Sequence, residues 1–324
     1  MLSGVSIVCF AACYAIALVI EVLGVEVRLR GRRLVLLLVA GAGLVAHTLY
    51  LSYRASEAGA TPLASPAEWL LLAAWVLAAV YVGAILYIPR AATGLILLPL
   101  ALVLIAASLW ASRQPFAPEP VSRFWGDFHG SVLLLGTVAV CIGFAAGLMY
   151  LLQSHWLKRR RPPTDRVRLP SLEWLERANA HALAVSAFLI GLGFASGLVL
   201  TKLRHHDEQD YVLWTDPVVL SLGAMLLWLV GAELFRIVYP AARRGRKVAY
   251  LTLASFLFLV ITLASLTLVD SVHGAAAPAK DNTPAPVSPS DAGQGARAWF
   301  PVPNQEGFGL GFSDHDGSAA QAHV

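Results

Sequence analysis

Residues 5–53 read VSIVCFAACYAIALVIEVLGVEVRLRGRRLVLLLVAGAGLVAHTLYLSY. Two apolar runs, Val5–Leu23 and Leu34–Tyr53, flank a basic knot, RLRGRR, at Arg28–Arg33. Each run has the roughly 20 residues needed to cross about 30 Å of hydrocarbon at about 1.5 Å per residue. The first run has no positive segment ahead of it and its basic cluster follows it, so it reads as a retained spanning helix and not as a secretory signal. The positive-inside rule places the knot in the cytoplasm.

Further along the chain the same pattern repeats at Trp69–Ile88, Thr93–Ala111, His129–Leu152, Ala180–Leu200, Pro217–Tyr239 and Val248–Val269. This predicts an all-α, polytopic membrane helix bundle of about eight transmembrane helices. The connections alternate in character. Arg28–Arg33, Pro89-Arg90, Lys158–Arg177 and Ala242–Lys247 hold, with Arg236, about 17 of the 24 Lys and Arg residues, which predicts that both termini lie outside the cytoplasm. The chain has 324 residues, is 57% hydrophobic and 14% charged, and has a mean hydropathy of +0.66, so its solvent is a lipid bilayer. Its basic residues flank spans and form no separate patch, and no nucleic-acid partner is indicated. Residues 1–273 are the expected bundle. The segment 274–324, rich in Ala, Pro, Ser, Gly and Asp, has too little apolar surface to offset its ordering entropy and is expected to be a disordered extracytoplasmic tail.

Three cysteines, Cys9, Cys13 and Cys141, all lie in apolar runs without a C-x-x-C pair, which argues against thiol–disulfide chemistry and against a zinc site. Cys9 and Cys13 are expected to be small buried hydrophobes. Glu21, Glu68, Glu233 and Asp270 fall near the ends of spans, whereas an ion pathway needs carboxylates at mid-depth. No Walker motif, G-x-S-x-G or H-E-x-x-H occurs, so a soluble-type enzyme is the weakest class.

Histidine is the side chain to follow, because imidazole is a common haem ligand and is uncommon within a bilayer without a reason. His155, His315 and His323 are expected at solvated surface, and His181 in an interfacial hydrogen bond, with a ligand role as its alternative. The other five fall toward the outer side: His129 at the start of the fifth span, His273 at the end of the eighth, His205-His206 after the sixth, and His47 about 10 Å below the outer boundary of the second. Tyr211, Trp214 and Asp216 precede the seventh span, as an aromatic face for a flat macrocycle or as an interfacial Trp followed by a helix cap, Asp216 then Pro217. Phe124, Trp125 and Phe128 beside His129 admit the same two readings.

Several stretches in order resemble the cytochrome c assembly family of haem-handling membrane proteins, in its shorter CcsA-like and HemX-like branch. They are GLVAHTLYLSYR in the second span, ATPLASPAEWLLLAAWVL with Pro62, Leu63 and Glu68, the segment from DFHGSVLLLG to the basic run at Lys158, LPSLEWLER, FASGLVL, and ARRGRKVAY through to His273. The resemblance covers roughly Arg28 to Gly274. It implies haem of the b type, held non-covalently and transiently, with His129 and His273 as iron ligands, His47 as a membrane-embedded histidine, and Trp214 and Asp216 on the surface that presents haem. It also implies a bacterial-type cytoplasmic membrane, and an apocytochrome c or a second membrane subunit as partner. The family's Trp-rich signature is reduced here to Trp214-Thr215-Asp216-Pro217-Val218-Val219, and Phe235 stands where a later membrane histidine is often found. The implied role is haem binding and relay for cytochrome c maturation, with a delivery factor expected in preference to an enzyme. The alternatives are a HemX-like regulatory scaffold that transfers no haem, and a small-molecule permease.

Overall fold

The computed structural model describes residues 6–26, 31–58, 65–88, 93–113, 120–159, 170–204, 216–239 and 246–268. Among these lie eight α-helices: α1 (Ile7–Glu26), α2 (Arg32–Ala58), α3 (Pro66–Tyr87), α4 (Gly94–Trp110), α5 (Pro120–Lys158), α6 (Leu172–Arg204), α7 (Pro217–Val238) and α8 (Arg246–Leu268). Seven are long and apolar enough to cross a membrane. The protein is a multi-pass helical membrane bundle. The expected tail lies outside the described residues.

The eighth segment, α4, has 17 residues and spans about 25 Å. It lies antiparallel to α3: the Ala67 amide at the start of α3 donates to the Ser112 carbonyl just past α4 (3.1 Å), while Gly94 at the start of α4 abuts Tyr81 and Glu21. The chain therefore reverses at every helix. Helices α1–α4 pack in sequence with α4 closing on α1, and α5–α8 do the same with α8 closing on α5. Contacts of α3 and α4 with α5 join the two groups. In α5, 72% of the apolar window is buried, against 17–44% in the other spanning helices, so α5 is the central element.

This alternation gathers Arg32, Arg33, Lys158, Arg159, Arg177, Arg236, Arg246 and Lys247 at one end, the basic end, and Arg54, Arg113, Arg123, Lys202 and Arg204 at the other. In the knot between α1 and α2, Gly31 adopts a positive φ of 78°, a left-handed turn that a side chain would strain, and its carbonyl accepts the Val35 amide (3.1 Å) in the first turn of α2.

Two spans extend further than hydropathy implies. Helix α5 begins at Pro120, nine residues before His129, with proline at the N1 position where its missing N–H costs nothing. Helix α6 begins at Leu172 and takes in most of the LPSLEWLER stretch that the charge pattern assigns to a loop. Ser171 caps this turn through the Trp174 amide (3.3 Å), Glu173 pairs with Arg177, and Leu175 is fully buried. At 39 and 33 residues, α5 and α6 are each longer than the roughly 20 that hydrocarbon requires. Within this pair, the Asn179 amide, oriented to suit its neighbours, donates to Thr252 Oγ1 (2.9 Å) and the Gly143 carbonyl (3.0 Å). It also accepts from the Ala249 amide (3.2 Å) in the first turn of α8.

Candidate functional site

Helix α5 carries His129 against the last turns of α6. Its Nδ1 lies 2.9 Å from the Gly193 carbonyl and 3.1 Å from Ser196 Oγ. A carbonyl only accepts, so Nδ1 bears the proton and the lone pair resides on Nε2. The Ser196 hydroxyl donates to the same Gly193 carbonyl (2.7 Å), leaving its oxygen lone pairs for the imidazole N–H. Gly197 supplies the remaining wall, since a Cβ there would stand 3.0 Å from His129 Cε1. This half-buried imidazole with one nitrogen anchored on a backbone carbonyl has the outer-shell arrangement common to metal-binding histidines.

One turn earlier on α5, Phe124, Trp125 and Phe128 form a mutually contacting cluster with centroids 5.9–6.5 Å apart. On the other side, the Trp69 indole N–H donates to the Gly130 carbonyl (3.0 Å), tying α3 to α5 next to His129. Arg54 at the end of α2 pairs with the buried Glu68 (3.1 Å) at the start of α3.

His47 is elsewhere. It is fully buried, with its ring stacked on Phe10 (centroids 3.9 Å apart, planes 4° apart), Nδ1 3.4 Å from the Tyr14 hydroxyl, and Nε2 without a partner. The neighbouring Thr48 bonds Trp75 whereas Gly130 bonds Trp69, so His47 lies six residues of α3, about 9 Å, closer to the basic end than His129. It faces α1 while His129 faces α6, and the two are not brought together. His129 has the anchored Nδ1 that an axial ligand would need. At His47, a macrocycle could reach the buried Nε2 only by parting α1 from α2.

Asp216 is the N-cap of α7: its Oδ1 accepts the amides of Val218 (2.8 Å) and Val219 (3.3 Å), with Pro217 at N1. The carboxylate is 5% exposed and its geometry is that of a cap. Asp216→Ala is expected to cost about 1 kcal/mol of stability through loss of the cap, and Asp216→Asn to keep that share, because asparagine caps equally well. Thermal unfolding in detergent checks this; an equal loss in both would mean that the negative charge itself is needed. His273, Trp214, His205, His206 and Tyr211 lie outside the described residues, as do His315, His323 and Asp270. His155 is exposed, and exposed His181 donates through Nδ1 to the Arg177 carbonyl one turn back (2.7 Å). No three His, Cys, Asp or Glu residues converge among the described residues. Haem supplies its own four equatorial nitrogens and asks the chain only for axial ligands.

Every carboxylate singled out within the described spans has a basic partner: Glu21 with Arg32, Glu68 with Arg54, and Glu233 with Arg236 (2.5 Å). Burial of both early cysteines is not observed. Cys9 is exposed and Cys13 half-buried, while Cys141 is buried, because the core-facing stripe of α1 runs through Phe10, Tyr14, Ala17 and Glu21 instead. Reading the sequence alone missed Gly193, Ser196, Gly197 and Trp69. The signal present was the small-residue run GLGFASG (191–197), whose spacing permits close approach of a facing helix.

No family model matches the chain, and no solved structure matches it. It is 28% identical over 174 residues to an uncharacterized 28.8 kDa protein in the nifR3-like 5′ region of Azospirillum brasilense. That alignment covers 52% of this chain and 62% of the relative.

Proposed function

We propose that this protein binds haem at its outer end and relays or presents it for cytochrome c maturation, as a member of the cytochrome c assembly family in a bacterial-type cytoplasmic membrane. The observation that carries the reading is His129: Nδ1 held on the Gly193 carbonyl and Ser196 directs the basic Nε2 away from the backbone anchor, the state in which an imidazole binds iron. His273 is the proposed second axial ligand, carried by the chain just beyond α8, whose last described turn lies at the same end as His129. The b-type haem would be bound non-covalently, with iron chemistry tuned by two exchangeable imidazoles. The aromatic cluster on α5 and, on this reading, Trp214 provide flat apolar surface for the macrocycle. His47 belongs to a deeper position that must open before it takes a ligand. With the basic end in the cytoplasm, an apocytochrome c or a second membrane subunit would receive haem on the outer side.

A visible spectrum of the protein purified in mild detergent from haem-replete cells tests the reading, beside the His129→Ala/His273→Ala double variant. A Soret band with a sharp reduced α band is expected in the wild type and not in the variant. Equal bands in both proteins would move the ligands elsewhere. Absence of haem from the wild type would overturn haem handling in favour of a scaffold without transfer.

A further inference from the structure

We infer that Trp69 is a positioning residue for His129, an inference whose functional meaning rests on the haem reading above. At the outer end α5 is gripped from two sides. From α6 come the Gly193 carbonyl and Ser196, which hold the His129 ring. From α3 comes the Trp69 indole, which donates to the carbonyl of the very next residue, Gly130, at 3.0 Å. That bond crosses between the two four-helix groups and restrains α5 at the level of the ligand.

The base from which Trp69 projects is fixed by three contacts. Ser65 Oγ accepts the Glu68 amide (3.3 Å), the Ala67 amide reaches Ser112 beyond α4 (3.1 Å), and Glu68 pairs with Arg54 from α2 (3.1 Å). The pair is half-buried, with Arg54 35% and Glu68 6% exposed, and it links the end of α2 to the turn that carries the indole. Rotation of α5 about its axis would move the imidazole away from its carbonyl anchor, and supporting groups around a ligand set its orientation in this way.

Trp75 provides the comparison. It lies on the same helix and donates through the same indole nitrogen, but to Thr48 Oγ1 (2.9 Å), with no connection to His129. The test uses full-length protein labelled with 15N-histidine, with the His129 signals identified by their loss in His129→Gln. Trp69→Phe, which keeps an aromatic ring and removes the donor, is expected to shift the His129 nitrogen signals and to weaken haem binding about tenfold. Trp75→Phe is expected to do neither. Unchanged His129 signals in Trp69→Phe, or equal shifts in both variants, would overturn the inference. The nitrogen signals report on His129 whether or not haem is present, so a wild type without a Soret band would sink the haem reading alone.

Discussion

Arg32→Leu is expected to remove a substantial fraction of the protein's stability, whereas Glu21→Leu, at the other end of the same ion pair, costs much less. Glu21 is 2% exposed and Arg32 25%. The carboxylate joins three helices: Arg32 of α2 donates to it, the Tyr81 hydroxyl of α3 donates to it (3.0 Å), and its own helix is α1. Gly94 of α4 completes the enclosure, since a Cβ there would stand 2.6 Å from Tyr81 and 2.8 Å from Glu21. With Arg32 gone, the carboxylate is left uncompensated with no route to water, and breaking a buried pair in this way costs about 3–5 kcal/mol. Against a total stability of about 5–15 kcal/mol, that is a substantial fraction.

The converse change differs because of depth. Arg32 opens α2 at the basic end, and its long apolar stem can carry the guanidinium outward to the headgroups once Glu21 is removed. The Glu21→Leu cost should fall below the range for a fully buried pair. The double variant Glu21→Leu/Arg32→Leu removes both charges together and should recover most of the loss, because a buried pair is often no better than well-packed apolar side chains. Thermal unfolding midpoints in mild detergent, with recovery of monodisperse protein, read all three. Equal losses in the single variants would defeat the depth argument. A double variant worse than either would show that the pair contributes more than compensation.

The fold was largely legible in the sequence because a spanning helix is an average property: about 20 apolar residues between basic or turn-forming connections announce themselves without any tertiary information. Helix ends were less legible. The extensions of α5 to Pro120 and of α6 to Leu172 lie where the helix leaves hydrocarbon and its residues become polar, so hydropathy falls although the helix continues. Asp216-Pro217 could be read as a helix cap because capping is decided within four residues. The residues that hold His129 could not, since Gly193 and Ser196 lie 64 and 67 positions away and look like packing filler in an apolar run. The ion pairs divide in the same way. Glu233 meets Arg236 one turn away on its own helix, a pairing that spacing alone makes legible, but which arginine meets Glu21 or Glu68 depends on how the connections fold back.

Gly197 offers the sharpest test of that small-residue wall on the haem reading. A methyl at this position would stand 3.0 Å from His129 Cε1, closer than an ordinary van der Waals contact, so the imidazole has to yield by a few tenths of an ångström. Gly197→Ala should therefore weaken haem binding modestly. Gly197→Val, whose branched side chain cannot avoid the ring, should weaken it toward the hundredfold end of the ~10–100-fold range seen when supporting groups around a ligand are lost. Ser196→Ala belongs near the tenfold end, because the Gly193 carbonyl still holds Nδ1. Gly191→Ala is the control: on the same helix its Cβ meets only Leu226 at 3.6 Å, an ordinary contact. Haem titration followed at the Soret band measures the series, with unfolding midpoints alongside. The order Val, then Ser196→Ala, then the control is the signature of a ring held in place by α6. A series in which affinity tracks stability instead would mean that α6 only packs against α5, and that His129 finds its orientation from the α3 side alone.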